Sequence, residues 1–175
     1  MRQPTIKTKN FILRPFRKND AFQVAEQASD KEVYKNTLVL PYPYHVSDAK
    51  KWLGKVLKER QKKYPKSLPF AIVIDDKVAG SISLEQIKHG HKAETGYWLG
   101  KDFRGRKIMT QAVKEICKFG FNDLELKRIT AKVFLFNPTS KRVLEKNNFK
   151  LEGILKKESK KGNRYIDTYL FAKIK

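Results

Sequence analysis

The chain has 175 residues, 40% of them apolar, which suits one domain with a buried core and excludes a disordered chain. Thirty-nine Lys and Arg stand against 18 Asp and Glu, a net charge of +21 that repels polycations and favours polyanionic surroundings. One cysteine excludes an internal disulfide, and no apolar stretch approaches the length of a membrane span.

Residues 1–7 lack the apolar core of a secretory leader, so the reading is a soluble, cytoplasmic protein with no membrane contact. Residues 11–16 read as a first strand. Asn19-Asp20 opens a short helix to about Gln27, with another helical turn near Glu32-Val33-Tyr34. Pro41 and Pro43 make residues 38–44 a loop. Ser47 is expected to cap a helix running to about Lys63, with Ala49, Trp52, Leu53, Val56 and Leu57 on one face. Residues 69–74 and 78–87 read as strands joined by a hairpin at Asp75-Asp76-Lys77, and 93–99 as the next strand. A helix over 108–122 places Val113, Ile116, Cys117, Gly120 and Phe121 on an apolar face, which makes Cys117 a structural thiol. A strand over 128–134 precedes a helix from Pro138 that ends at Asn147-Asn148, where Asn accepts the left-handed cap. Strands over 149–156 and 165–174 flank a turn at 160–163. The order β-α-α-β-β-β-α-β-α-β-β predicts a single α/β (α+β) domain over residues 1–175. Its sheet is mixed and mostly antiparallel, with helices on both faces.

The most informative stretch lies between Glu94 and Ala112. A strand rich in aromatics feeds a basic loop, Arg104-Gly105-Arg106-Lys107, and then a helix whose first amides, at Ile108, Met109 and Thr110, have no partners in the helix. Such an end carries the positive pole of the helix and seats an anion such as a pyrophosphate. An ordinary strand–turn–helix connection accounts for the loop equally well. Asn137-Pro138-Thr139-Ser140 reads as a helix cap. His89 and His91 flank Gly90 in a polar turn without a third ligand, so no metal is expected. Tyr42, Tyr44 and Trp52 are candidates for an acceptor groove, with Trp52 better explained by the core.

Three blocks carry a family resemblance: Phe11-Ile12-Leu13-Arg14-Pro15-Phe16 with Asp20-Ala21, the Ala93-Glu94-Thr95-Gly96-Tyr97-Trp98-Leu99 strand with its loop, and the stretch from Phe136 to Gly153. In this order they resemble the GNAT superfamily of acyl-CoA-dependent N-acyltransferases, and within it the RimJ/RimL branch that acetylates protein N-termini. The resemblance implies acetyl-CoA wedged between the strand ending at Leu99 and the strand starting near Arg128. Backbone groups of Trp98, Leu99 and Gly100 would pair with pantetheine. The pyrophosphate would rest on Arg104, Gly105, Arg106, Lys107, Ile108, Met109 and Thr110. Asn137 would lie beside the pantetheine arm, and Ser140 would protonate the departing thiolate. Leu144 stands where many relatives place a tyrosine acid. Glu94 is the expected base, with Glu85 next in line. The chain departs from the family at Lys107, where a glycine is usual, and at Met109.

The expected acceptor is the α-amine of a protein such as a ribosomal protein, because an amine of pKa about 7.7–8.0 needs only a modest base at pH 7. A small amine, such as a polyamine or an antibiotic, and a basic RNA- or ribosome-associated module with a decayed site remain as alternatives. The acids read as scattered, with no cluster to draw a polyamine. Lysines outnumber arginines 30 to 9, which fits solvated surface charge as well as association with RNA. Whether the chain is a monomer or a dimer stays open.

Overall fold

The computed structural model describes residues 3–175; Met1 and Arg2, the first two residues of the segment read as having no leader core, lie outside the described residues. Eight strands form one sheet in the order β1-β2-β3-β4-β5-β6-β8-β7. They are β1 (Ile6–Lys7), β2 (Ile12–Pro15), β3 (Ser67–Ile74), β4 (Lys77–Lys88), β5 (Lys92–Leu99), β6 (Arg128–Phe134), β7 (Lys150–Lys161) and β8 (Arg164–Ile174). Every neighbouring pair is antiparallel except β5 and β6. The helices are α1 (Ala21–Ala28), α2 (Lys31–Asn36), α3 (Val46–Arg60), α4 (Ile108–Asn122) and α5 (Pro138–Glu145).

Alternation along the strands decides which helix covers which face. Phe70, Ile72, Ile82, Leu84, Ala93, Ile129, Ala131 and Phe171 form one core with α4 and Leu144 of α5. Ala71, Val73 and Val78 point the other way and pack with Phe16 under α1 and α3. Gly120 lets α4 lie close on the sheet, since a Cβ there would sit 2.9 Å from the Ile129 Cδ1. The expected helices on both faces of a mixed, mostly antiparallel sheet are therefore present.

Three local expectations are corrected. A two-residue edge strand, β1, precedes the first expected strand. The expected helical turn near Glu32-Val33-Tyr34 is present as α2, started by Asp30, whose carboxylate accepts from the Glu32 and Val33 amides at 2.8 and 3.0 Å. Helix α3 begins at Val46 rather than after a Ser47 cap, because the Asp48 carboxylate accepts from the His45 amide at 2.9 Å and anchors the turn earlier. It ends at Arg60, whose guanidinium turns back to the Phe16 carbonyl at 3.0 Å. The last hairpin is longer than expected: β7 continues to Lys161 despite register shifts between Leu151 and Gly153 and between Leu155 and Ser159. The expected turns hold at Asp75 and Asp76 (φ 46° and 59°), and Asn148 takes the left-handed cap (φ 61°).

Candidate active site

The parallel pair β5–β6 is joined only through Lys92–Arg128, Ala93–Ile129 and Glu94–Thr130. Beyond Glu94 the two strands part, while β5 stays paired to β4 as far as Leu99–Gly80. The Gly100 amide donates to the Ala79 carbonyl at 2.8 Å and its carbonyl accepts from Phe103 at 3.2 Å, so both Gly100 backbone groups are engaged within the fold. Strand alternation then turns the backbone groups of Thr95, Tyr97 and Leu99 toward the opening. A cleft with unpaired strand backbone along one wall is the result. Trp98 belongs to the other set: its side chain packs against the core under α1 and α3.

Past the end of β5 the chain makes a short 3-10 turn and enters α4. No side chain caps this helix, and its first internal bond is from Gln111 to the Lys107 carbonyl at 3.1 Å, leaving the amides of Ile108, Met109 and Thr110 free to bind an anion. Gly105, Arg106 and Lys107 are exposed beside them, while Ile108 and Met109 send their side chains into the core. Lys107 holds φ 58°, ψ 11°, a left-handed conformation that glycine adopts at lower cost. The backbone thus follows the path a glycine would take, with a lysine in its place. Arg104 is occupied: its Nε donates to the Leu99 carbonyl at 3.1 Å and its guanidinium pairs with Asp30 at 2.9 Å. Burial opposes ionisation of Asp30, but the Arg104 bond and the Val33 and Glu32 amides outweigh it and lower its pKa.

On the opposite wall, Asn137 caps α5 by accepting from the Ser140 amide at 3.0 Å, with Pro138 in the first turn. The Ser140 Oγ lies 2.8 Å from the Tyr97 hydroxyl. Burial pushes the Tyr97 phenol well above its ordinary pKa, against the pull of the Ser140 bond, so it remains a neutral donor. Leu144 is fully buried, and α5 offers no tyrosine in its place. The Asn147 amide ties the end of α5 to the Thr110 carbonyl of α4 at 3.0 Å, fixing the two helices that frame the cleft.

Glu94 and Lys132 alternate with Ala93 and Ala131, so they project from the face opposite α4. The Lys132 ammonium lies 4.0 Å from the Glu94 carboxylate and 2.6 Å from that of Glu158. Glu85 is opposite Glu94 in the β4–β5 register and accepts from the Ser83 hydroxyl at 2.9 Å. Burial raises the Glu94 pKa; Lys132 opposes the shift, and Glu85 and Glu158 add to it. The reading of the acids as scattered is therefore corrected: long-range strand pairing brings Glu94 and Glu158 to Lys132, with Glu85 opposite Glu94 on the neighbouring strand.

Leu99, Asn137, Ser140 and the loop from 104 to 110 thus flank the opening between β5 and β6, with Tyr97 and Ser140 on its α4 side and Glu94, in the last joined pair, on the opposite face of the sheet. In the sequence Tyr97 stands within the aromatic strand with nothing to mark its bond to Ser140, and the alternation of β6 is what points to Lys132. Nothing local marks Glu158. Trp52 meets Phe16 edge-on at 4.9 Å, in the core as expected, and Tyr44 is buried, while Tyr42 is exposed with its ring 5.5 Å from that of Tyr34. Cys117 is buried, with its thiol pushed up to about 12 by burial, so it is no nucleophile. His89 lies 3.3 Å from the Pro65 carbonyl, and among the described residues no three His, Cys, Asp or Glu side chains gather as metal ligands.

A sheet split beside a helix N-terminus with open amides suits an extended, anionic ligand. The family profile for the acetyltransferase (GNAT) domain matches residues 10–150, and the chain belongs to that family of acetyltransferases. The uncharacterized N-acetyltransferase p20 of Bacillus licheniformis is 30% identical over 172 residues, covering 98% of this chain and 96% of that one. The ribosomal-protein-serine acetyltransferase of Escherichia coli is 36% identical over 106 residues, 60% of this chain and 59% of that one. RimJ of Mycobacterium smegmatis, solved with CoA-disulfide, shares the fold with a TM-score of 0.89 at 23% identity, over 99% of this chain and 90% of that one. The likeness is to the RimJ/RimL-like branch. No helix among the described residues is long and apolar enough to cross a membrane.

Proposed function

We propose that the enzyme transfers acetyl from acetyl-CoA to the N-terminal α-amine of a protein, by direct attack on the thioester. The observation that carries this is the parting of β5 and β6 after Glu94, which opens backbone on one wall between the free α4 amides and the Tyr97–Ser140 pair. The amides of Ile108, Met109 and Thr110, with Arg106 and Lys107 beside them, suit the pyrophosphate, and the backbone groups of Tyr97 suit the pantetheine amides. The Leu99 N–H, facing the opening, steadies the oxyanion formed on the carbonyl. Glu94 accepts the amine proton through a water, and its raised pKa makes it a better base than an exposed carboxylate. Ser140 donates its proton to the departing thiolate and is reprotonated through Tyr97. The likeness to an Escherichia coli enzyme named for a ribosomal-protein serine supports a ribosomal acceptor. With a charge of +21, ribosome or RNA association is expected to weaken steeply with added salt.

The gathering of Glu85, Glu94 and Glu158 favours a second reading, a small cationic amine as acceptor. Two measurements decide. Acetyl-CoA at 100-fold excess over its Kd is expected to stabilise the fold by about 2.7 kcal/mol; no melting shift at millimolar acetyl-CoA defeats the donor assignment. Mass spectrometry of a peptide with a free N-terminus and an internal lysine is expected to find acetyl on the α-amine alone. Acetyl only on lysine, or faster turnover of spermidine than of any peptide, selects against the protein N-terminus.

A further inference from the structure

From Glu94, a path of ion pairs and hydrogen bonds, linked through β7 and α2, runs round the mouth of the cleft and returns to the strand it left. Lys132 joins Glu94 to Glu158 on β7. Further along β7, the Lys161 ammonium donates to the carbonyl oxygens of Tyr34 and Thr37, the latter at 2.7 Å, and lies 3.6 Å over the Tyr34 ring. At the other end of α2, Asp30 holds Arg104, and Arg104 closes the circuit on the Leu99 carbonyl of β5.

Helix α2 has six residues, far too few to persist without outside support. Its first amides are satisfied by Asp30, and at its C-terminal end Lys161 takes the carbonyls that such an end leaves open. One ammonium therefore joins the tip of the β7–β8 hairpin to the helix across the opening. Beside it the exposed Tyr42 ring stands 5.5 Å from that of Tyr34, forming an aromatic lip.

We propose that Lys161 is a specificity-determining residue: its hold on α2 closes this ring, so that an acceptor reaches the cleft by threading a free, extended chain end past Tyr34 and Tyr42. The inference rests on the α-amine reading above. Lys161 touches neither donor nor reacting amine, so its removal acts on acceptor choice and leaves acetyl-CoA binding alone.

The test compares two acceptors, a short linear peptide and a folded protein whose N-terminal residue lies flush with its surface, with wild type, Lys161→Ala and Lys161→Arg. Wild type is expected to prefer the peptide. Lys161→Ala is expected to raise KM for the peptide about tenfold with kcat held, to leave the flush N-terminus no worse, and to keep the acetyl-CoA melting shift. Arginine, which offers several donors and stacks on aromatic faces, is expected to restore the preference. Amide hydrogen exchange across residues 33–37 is expected to quicken in Lys161→Ala and to return with Arg. An unchanged peptide preference in Lys161→Ala, an equal loss on both acceptors, or no quickening of α2 exchange overturns the ring. A wild-type enzyme that acetylates neither α-amine defeats the acceptor reading itself, before any variant is measured.

Discussion

The Tyr97 hydroxyl and the Ser140 Oγ, 2.8 Å apart, connect the unpaired wall of the cleft to the first turn of α5, and they do so from residues far apart in the chain. Tyr97 is held neutral by burial, so it hydrogen-bonds the Ser140 Oγ as a phenol, and any proton it passes to Ser140 is replaced in the same step by one from water. Ser140→Ala is expected to lower kcat by about 10²–10⁴-fold with acetyl-CoA affinity nearly intact. Tyr97→Phe keeps the ring and removes one hydrogen bond of about 0.5–1.5 kcal/mol, so kcat is expected to fall only about 2- to 10-fold. Steady-state kinetics on both variants checks this; a Tyr97→Phe enzyme at full rate removes Tyr97 from the relay. The raised phenol pKa also has a stability consequence. Folded and unfolded forms are both neutral below about pH 10, and above it the unfolded chain ionises first, so stability is lost as pH climbs through the alkaline range.

Glu94 offers a pH test with a defined sign. Burial raises its pKa, and Lys132 restrains the rise. Removing the lysine with Lys132→Met is expected to move the acid limb of kcat/KM to higher pH, because the carboxylate then loses its nearest counter-charge. Glu94→Gln is expected to lose about 10²–10⁴-fold in kcat and to abolish that limb. A raised carboxylate pKa contributes stability below the unfolded value of about 4.3, and this is lost as pH rises through the folded value. Glu94→Gln is therefore expected to melt higher than wild type at neutral pH. If Glu94→Gln keeps full rate and an unchanged pH profile, Glu158 and Glu85 become the candidates for the base.

The fold was legible where one element carried its own signal. Asp75-Asp76 marks its hairpin, Asn147-Asn148 ends α5, and the apolar face of α4 needs no partner to be seen. The resemblance singles out Glu94, Ser140 and the basic loop, which lie far apart in the chain. What escaped depends on pairing across distance. Glu85 and Glu94 meet through register, Glu158 arrives only after β7 has passed its register shifts, and Lys161 reaches α2 from the far end of the chain. Arg104 shows the same limit: the sequence places it in the basic loop, but its partner Asp30 caps a helix that local periodicity marks as a single turn.

Lys107 offers a stability gain. Its left-handed backbone costs a non-glycine residue about 1 kcal/mol more than glycine. Lys107→Gly is expected to raise the melting temperature by about 2–4 °C for a chain of this size. Acetyl-CoA titrations at several salt concentrations then assign the side chain. Weaker binding with a flatter salt dependence makes the ammonium a phosphate ligand, and unchanged binding makes it a solvent-facing bystander. A variant that melts lower than wild type contradicts the strain argument.

The last prediction concerns Arg104 and Asp30. Arg104 matches the opening residue of a phosphate loop, yet its guanidinium is spent on the Leu99 carbonyl and the Asp30 carboxylate. Its service to the pyrophosphate is then indirect: it fixes the loop so that the α4 amides converge, and its charge is already matched. Arg104→Ala and Asp30→Asn are each expected to weaken acetyl-CoA binding, with the double variant little worse than either single one, because one interaction is lost in all three. Asparagine still caps α2, which keeps that helix as a control. Arg104→Ala is also expected to leave the salt dependence of binding unchanged. Calorimetric titration across the four proteins separates the alternatives. Tighter binding by Asp30→Asn, together with a flatter salt dependence in Arg104→Ala, means that the guanidinium leaves Asp30 and meets the pyrophosphate directly.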